Sequence, residues 1–218
     1  MFADRSAAGR ALAEAVARLR LNEPVVVALP RGGVPVGQEV AKRLGVSLEL
    51  LIVRKLGAPG HPELAVGAIV GGAVPQTVFN PEVMEALRPS PEHVEAEIRR
   101  EQAELARREA VYAGDHPPLD VRGRTVVVVD DGLATGAPAE AALRGLRQAG
   151  AAGLVLAVPV GAAKAVNRLE ALADTVVCLS VPFRFEAVGQ WYGDFRQVSD
   201  EEVIGLLCSR KNGGKASR

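Results

Sequence analysis

The chain has 218 residues, 48% of them apolar and 24% charged, as expected of an ordinary globular domain with a substantial core. Its 26 basic and 26 acidic side chains balance, so no overall field favours nucleic acid or an anionic membrane. No apolar run approaches the roughly 18 residues of a membrane span, the first residues lack a signal-peptide layout, and Cys178 and Cys208 lack metal-ligand spacing. We therefore expect a cytoplasmic protein that binds neither nucleic acid nor membrane.

The predicted elements alternate between strands and helices along the chain. An amphipathic helix is predicted at 6–20, and further helices at 34–44, 137–148 and 163–173. Short apolar runs, typical of strands covered on both faces, lie at 25–29, 48–53, 125–129, 154–160 and 175–179. This alternation predicts an α/β fold, a Rossmann-like parallel sheet flanked by helices on both faces. Ligands of such sheets bind at the carboxyl ends of the strands.

The first strand runs into the turn Pro30-Arg31-Gly32-Gly33. Two glycines at this place allow the backbone to approach an anion closely, and Arg31 supplies a planar fork of N–H donors. Alone, such a turn is as often structural as functional.

The second strand is followed by Arg54-Lys55 and then by a glycine- and proline-rich stretch that reaches Glu63. This composition predicts a loop that begins with two cations. His61 and Glu63 are candidates for a proton transfer, and a solvated loop histidine is the alternative interpretation of His61.

Two additions interrupt the alternation. Segments 65–70 and 74–79, joined through Gly71-Gly72, predict a β-hairpin, and Ser90-Pro91 predicts the start of a long charged helix that ends near Ala113. The helix has a narrow apolar stripe, formed by Val94, Ile98, Leu105 and Tyr112. We interpret it as a solvated helix packed along one edge; a dimer contact is the alternative, and a homodimer is expected.

The third strand leads into the most informative segment, 126–138, with the sequence VVVVDDGLATGAP. Two carboxylates at the end of a buried strand are costly unless a ligand satisfies them. Because ionised carboxylates only accept hydrogen bonds, sugar hydroxyls and magnesium-bound water are suitable partners. The small residues that follow allow backbone N–H groups, the Thr135 hydroxyl and a helix N-terminus to contact a phosphate. These features together predict a ribose 5-phosphate site.

This segment resembles the phosphoribosyl pyrophosphate (PRPP) signature of the type I phosphoribosyltransferases: four apolar residues, two acidic ones, two variable ones, then small-Thr-Gly. The resemblance implies an enzyme that transfers ribose 5-phosphate from PRPP, bound with Mg²⁺, to a nitrogenous base. Asp130 and Asp131 would be catalytic residues that bind the ribose hydroxyls, and the metal would lie near them, held through PRPP and water. The 5-phosphate would be cradled by Ala134, Thr135, Gly136, Ala137 and Pro138.

The resemblance extends to the two earlier turns. The family binds pyrophosphate after the first strand, which implies contacts from Arg31, Gly32 and Gly33. A mobile catalytic loop follows its second strand, so Arg54 and Lys55 would be catalytic residues that neutralise the pyrophosphate charge.

Gly132 and Pro138 depart from the family pattern, in which an aliphatic and a small residue are usual. A regulatory protein of the same fold that binds PRPP or a nucleotide without catalysis is therefore the alternative; an ordinary Rossmann-like turn and a PRPP-forming diphosphokinase are weaker ones. Ala134 stands where hypoxanthine-guanine enzymes have a carboxylate and adenine enzymes have alanine, which favours a purine-like acceptor without settling the base.

The last third of the chain is rich in aromatic side chains between 181 and 195. Aromatic faces with polar edges suit a planar heterocycle, and in the family a hood at this place holds the base. The candidate acceptor residues are Phe185, Val188, Trp191, Tyr192 and Asp194. A small aromatic core that seals the sheet end, or a dimer contact, is the alternative.

We expect one domain over 1–208, with an insertion at 65–118 and the hood with the last helix at 181–208, and a disordered tail from Ser209.

Overall fold

The computed structural model describes residues 1–113 and 119–208. Residues 114–118, which end the insertion expected at 65–118, and the tail from Ser209 lie outside these residues. Five strands form the predicted parallel sheet: β1 Val25–Ala28, β2 Leu48–Leu50, β6 Thr125–Val129, β7 Gly153–Val160 and β8 Thr175–Ser180. Their order in the sheet is β2-β1-β6-β7-β8.

Helices cover both faces of this sheet, which confirms the predicted fold class. On one face lie α1 (Arg5–Ala17) and α2 (Gly33–Leu44), with α7 (Asp200–Cys208) beside them. On the other lie α5 (Ala137–Gln148) and α6 (Ala163–Glu170). Alternate valines of β6 enter the two cores, which is why an unbroken apolar run is needed there.

The insertion between β2 and β6 is built around a second sheet. Three antiparallel strands, β3 (Val53–Ala58), β4 (His61–Val70) and β5 (Gln76–Phe79), form it in that order. Two helices follow, α3 (Pro81–Leu87) and α4 (Pro91–Ala113). The predicted hairpin and the long helix are therefore confirmed. Helix α3 was not predicted from the sequence, although Asn80 caps it by accepting from the Val83 N–H and Pro81 opens it.

Two predictions about residues 48–63 were wrong. The run 48–53 is not one strand, because the chain leaves the parallel sheet after Leu50 and enters the antiparallel sheet at Val53. The expected loop over 54–63 consists of β3, the start of β4 and a tight turn at Pro59-Gly60, where Gly60 has φ +71°. The glycines and prolines that indicated a loop lie at this turn and at irregularities of the strand pairing.

Helix α4 packs on the second sheet through carboxylates as well as apolar side chains. Leu105 is buried as the stripe predicted, but Glu97 and Glu101 are buried too, at 8% and 5% exposure. Glu97 accepts from the Gly57 N–H at 3.1 Å, and Glu109 accepts from the Gly72 N–H at 3.3 Å. These bonds satisfy backbone donors that the irregular sheet leaves open, so the helix is fixed to the sheet by polar contacts.

Among the described residues, no helix is both long and apolar enough to cross a bilayer.

Candidate active site

Asp130 and Asp131 lie at the carboxyl end of β6, at the centre of the parallel sheet. The Asp131 N–H donates to Oδ1 of Asp130 at 2.8 Å. Burial, and then the charge of Asp131, raises the pKa of Asp130 well above its ordinary value. Burial also raises the pKa of Asp131. Two neighbouring carboxyl groups are thus held where ionisation is costly until a ligand or cation compensates it.

The glycine turn after β1 is pressed against this pair. A Cβ on Gly32 would lie 2.0 Å from Oδ2 of Asp131, and one on Gly33 would lie 2.7 Å from the Val129 carbonyl oxygen. The peptide bond between Pro30 and Arg31 is cis. The predicted pyrophosphate turn and the predicted ribose carboxylates are therefore in direct contact, and glycine is required at both positions to bring them together.

Arg5, which the sequence analysis did not identify, is the charged partner of Asp131. Its Nε donates to Oδ2 of Asp131 at 2.8 Å, with side-chain exposures of only 11% and 14%. The guanidinium also donates to the Arg196 carbonyl at 2.8 Å and stacks 3.9 Å from the centre of the Phe195 ring. Arg5 opposes the effect of burial on the pKa of Asp131. Nothing in the local sequence indicates this pair, because 126 positions separate the two residues.

The predicted phosphate loop passes directly into α5. Gly136 has φ +73° and immediately precedes the helix, and Pro138 occupies its first turn, where its missing N–H costs nothing. Thr135 is exposed, and Arg168 of α6 donates to its carbonyl oxygen. The loop thus presents a helix N-terminus beside the carboxylates, which is a favourable place for an anion.

The departure at Gly132 has a packing reason. A Cβ there would lie 2.6 Å from Cγ1 of Val188, in the 3₁₀ helix Val188–Trp191. An aliphatic residue at position 132 would therefore push this part of the chain away from the site.

The candidate acceptor residues form a small aromatic core at the sheet end. Tyr192 is 5% exposed, and its ring packs against Phe2 and Phe195, with centroid distances of 5.7 and 5.1 Å. Phe185, Val188 and Trp191 surround it, whereas Asp194 is exposed. The Tyr192 hydroxyl donates to the Asp131 carbonyl at 2.5 Å. Tyr192 therefore contacts the Asp131 backbone from within the aromatic core, and its buried ring cannot stack on a base.

Arg54 and Lys55 do not lie on a loop. Both are strand residues of β3, paired in register with Ile69 and Ala68 of β4. Arg54 forms an ion pair of 2.6 Å with Glu101, whose side chain is 6% exposed. The segment expected to start a mobile catalytic loop is thus part of a sheet. The carboxylates of α4 hold it there, because they pair with its cation and accept hydrogen bonds from its backbone.

Arg31 reaches the start of α7, beside the end of α4. Its Nη1 lies 3.4 Å from Oδ1 of Asp200, the first residue of α7, and Tyr112 of α4 donates to the same oxygen at 2.6 Å. Within the described residues, no group of three or more His, Cys, Asp or Glu side chains is arranged to hold a metal ion.

This geometry agrees with comparisons to known proteins. Residues 3–193 match the model of the phosphoribosyl transferase domain family. The crystal structure of the protein TT1426 from Thermus thermophilus superposes with a TM-score of 0.85 at 47% identity, over 96% of this chain and 98% of that one. The chain therefore belongs to the phosphoribosyl transferase family.

A second relative is longer. The Mycobacterium tuberculosis protein named "Putative phosphoribosyl transferase Rv0571c" is 46% identical over 207 residues, which is 95% of this chain and 46% of the relative. The chain thus spans about half the length of that curated relative.

Proposed function

We propose that the protein transfers ribose 5-phosphate from PRPP to a ring nitrogen of a purine-like base and releases pyrophosphate. The observation that carries this proposal is the contact of three elements at one sheet end. The Asp130–Asp131 pair lies under the Gly32-Gly33 turn and beside the N-terminus of α5. A ribose with phosphate groups on opposite ends requires acceptors in the middle and anion sites on both sides.

In this proposal each element has one task. The two carboxylates accept hydrogen bonds from the ribose hydroxyls. The loop 134–138 receives the 5-phosphate at the start of α5, and the Arg31 turn receives the pyrophosphate. As the bond from C1 to the pyrophosphate oxygen breaks, its electron pair leaves with the pyrophosphate. The lone pair of the base nitrogen forms the new bond to C1, and the ring N–H proton that the base then loses passes to the released pyrophosphate or to water.

The carboxylate pair also fits a divalent cation. Asp130 and Asp131 are oxygen donors with raised pKa values, and a nearby cation would favour their ionised forms. We propose that Mg²⁺ is held near them through PRPP and water. When bound, it would neutralise charge on the departing pyrophosphate.

A binding protein without catalysis remains the second candidate. The observation that favours it is the ion pair between Arg54 and Glu101. In this pair Glu101 neutralises a cation that the resemblance assigns to catalysis. Release of pyrophosphate from PRPP in the presence of a panel of purines separates the two candidates. Base-dependent release supports the enzyme, whereas saturable binding with no release supports the regulatory protein.

Calorimetric titration with PRPP and magnesium tests the site itself. We expect saturable binding by the wild type and affinity about 10- to 100-fold weaker in Asp131→Asn, because a hydrogen bond to a charged acceptor contributes about 1.5–3 kcal/mol. Asp120→Asn is the control, since Asp120 is exposed and precedes the opposite end of β6. Equal affinity in Asp131→Asn and the wild type, or no binding by the folded wild type, would contradict the proposal.

Loss of Arg5 is expected to shift the pH dependence of PRPP binding. Arg5 opposes the rise in the pKa of Asp131, so Arg5→Gln raises that pKa further. Since the ionised carboxylate is needed, binding by the variant should be lost at a higher pH as the solution is acidified.

Dissociation constants measured from about pH 5 to about pH 8 test this. Arg10→Gln is the matched control, because Arg10 lies on the same helix with a 62% exposed side chain. If PRPP binding is lost at the same acidic pH in Arg5→Gln and in the wild type, Arg5 does not control the pKa of Asp131.

A further inference from the structure

A cavity of about 250 Å³ opens where the turn after β1, the last turns of α4 and the start of α7 meet. Three arginines, Arg31, Arg107 and Arg108, line it together with Tyr112 and Asp200. Two of the arginines come from the insertion, whereas Arg31 directly precedes the glycine that contacts Asp131. The cavity therefore adjoins the proposed ribose site but has walls from a different part of the chain.

The charges around this cavity leave room for an anion. Glu104 accepts from two nitrogens of Arg107, at 2.8 and 2.9 Å, and from Nε of Arg108 at 2.8 Å. These contacts lower the pKa of Glu104 to about 2, so it stays ionised. Each guanidinium has five N–H donors, more than Glu104 engages. The three arginines face two carboxylates, Glu104 and Asp200, which leaves an excess of positive charge.

The contact between Arg31 and Asp200 is the one that an incoming anion can replace. It is long, at 3.4 Å, and the two side chains are 36% and 49% exposed, so it contributes little to stability. Asp200 retains its 2.6 Å hydrogen bond from Tyr112 if Arg31 turns away.

The helix that carries Arg107 and Arg108 is fixed in place. Its buried Glu97 and Glu101 are bound to the Gly57 N–H and to Arg54 on the second sheet. Cations on a fixed element lose little freedom when they bind an anion. The same contacts that engage Arg54 therefore hold a second set of cations beside the Arg31 turn.

We propose that Arg107 and Arg108 bind, together with Arg31, the diphosphate group of PRPP and of the pyrophosphate product. The insertion helix then supplies the cations that the sequence analysis expected from Arg54 and Lys55. Planar guanidinium forks match phosphate oxygens in pairs, which suits a diphosphate. This inference rests on the proposed function for the identity of the substrate, but the anion site itself can be measured separately.

The experiment compares two double variants of equal charge by calorimetry, each titrated with magnesium pyrophosphate, magnesium PRPP and ADP. Arg107→Gln/Arg108→Gln removes the proposed ligands. Arg43→Gln/Arg99→Gln removes two similarly exposed arginines, each paired with a glutamate on its own or a neighbouring helix. We expect the first to weaken pyrophosphate and PRPP binding by about tenfold or more, and the second by less than about twofold. Melting temperatures of both variants should match the wild type.

The outcomes separate this inference from the proposed function. Asp131→Asn should weaken PRPP binding more than pyrophosphate binding, because pyrophosphate has no ribose. If the first double variant binds pyrophosphate and PRPP like the wild type while Asp131→Asn loses PRPP, only the inference is overturned. Pyrophosphate binding that depends on Arg107 and Arg108, without any PRPP binding, would support the anion site and reject the proposed substrate. Loss of ADP binding alone would assign the site to a nucleotide and overturn the diphosphate assignment to PRPP. A wild type that binds no pyrophosphate overturns the inference.

Discussion

Gly33→Ala is expected to destabilise the protein by about 1–3 kcal/mol, the usual cost of extra volume in a packed site. The added Cβ would lie 2.7 Å from the Val129 carbonyl oxygen and 3.0 Å from Cα of Asp130. Both are backbone atoms of the central strand and its end, so a side-chain rotation cannot relieve the clash. The Val129 carbonyl also accepts from the Leu29 N–H at 2.9 Å, a bond that the displacement would strain.

Thermal and urea denaturation measure this effect. The melting temperature of Gly33→Ala should fall by roughly 2 to 12 °C, at about 2–4 °C per kcal/mol for a chain of this size. Gly205→Ala is the control: Gly205 lies in α7 with no atom within 4 Å of its Cβ position, so alanine should stabilise by up to about 1 kcal/mol. Equal stability of Gly33→Ala and the wild type would mean that α2 and β6 are less closely packed than described.

Asp130→Asn is expected to stabilise the protein at neutral pH while weakening PRPP binding. Burial raises the pKa of Asp130, so the folded chain keeps this proton at pH values where the unfolded chain has lost it. The stability that wild-type Asp130 contributes is therefore present below the ordinary carboxyl pKa and is lost as the pH rises through the raised value. Asparagine never ionises and retains an oxygen that can accept the Asp131 N–H, so the variant avoids this loss.

The free energy of unfolding, measured against pH, tests this prediction. At pH 7 the variant should be more stable than the wild type, and the two curves should converge as the pH falls below the ordinary carboxyl pKa. Asp174→Asn should behave in the opposite way, because the Leu154 N–H and Arg147 lower the pKa of Asp174. An Asp130→Asn variant that is less stable than the wild type at neutral pH would show that the ionised carboxylate is already compensated.

The parallel sheet and the passage from β6 into α5 could be predicted because their determinants are consecutive in the sequence. Four valines before two aspartates specify a buried strand whose end carries charge, and Gly136 with Pro138 specifies the start of α5. The neighbouring Gly32-Gly33 turn was also predictable, since the strand order of such folds places it at the same sheet end.

The partners of the charged residues could not be predicted. Arg5 and Asp131 are 126 positions apart, and Arg54 and Glu101 are 47 apart. No periodicity links such residues; only the packed fold brings them together. The same holds for β3, whose irregular backbone is satisfied by Glu97 of a helix 40 positions later. Local composition alone indicates a loop there.

The aromatic core joins the beginning of the chain to its last third. The N–H of Phe2 donates to the Trp191 carbonyl, and the Phe2 and Ala3 carbonyls accept from Gly193 and Asp194, all at 2.8 Å. During synthesis, the first residues can therefore form these hydrogen bonds only after their partners, about 190 positions later in the chain, have been made. Such distant contacts form late in folding, because the entropy of closing the intervening chain must be overcome first. The parallel sheet can collapse before this closure, so the Arg5–Asp131 pair should be among the last parts of the molecule to become ordered.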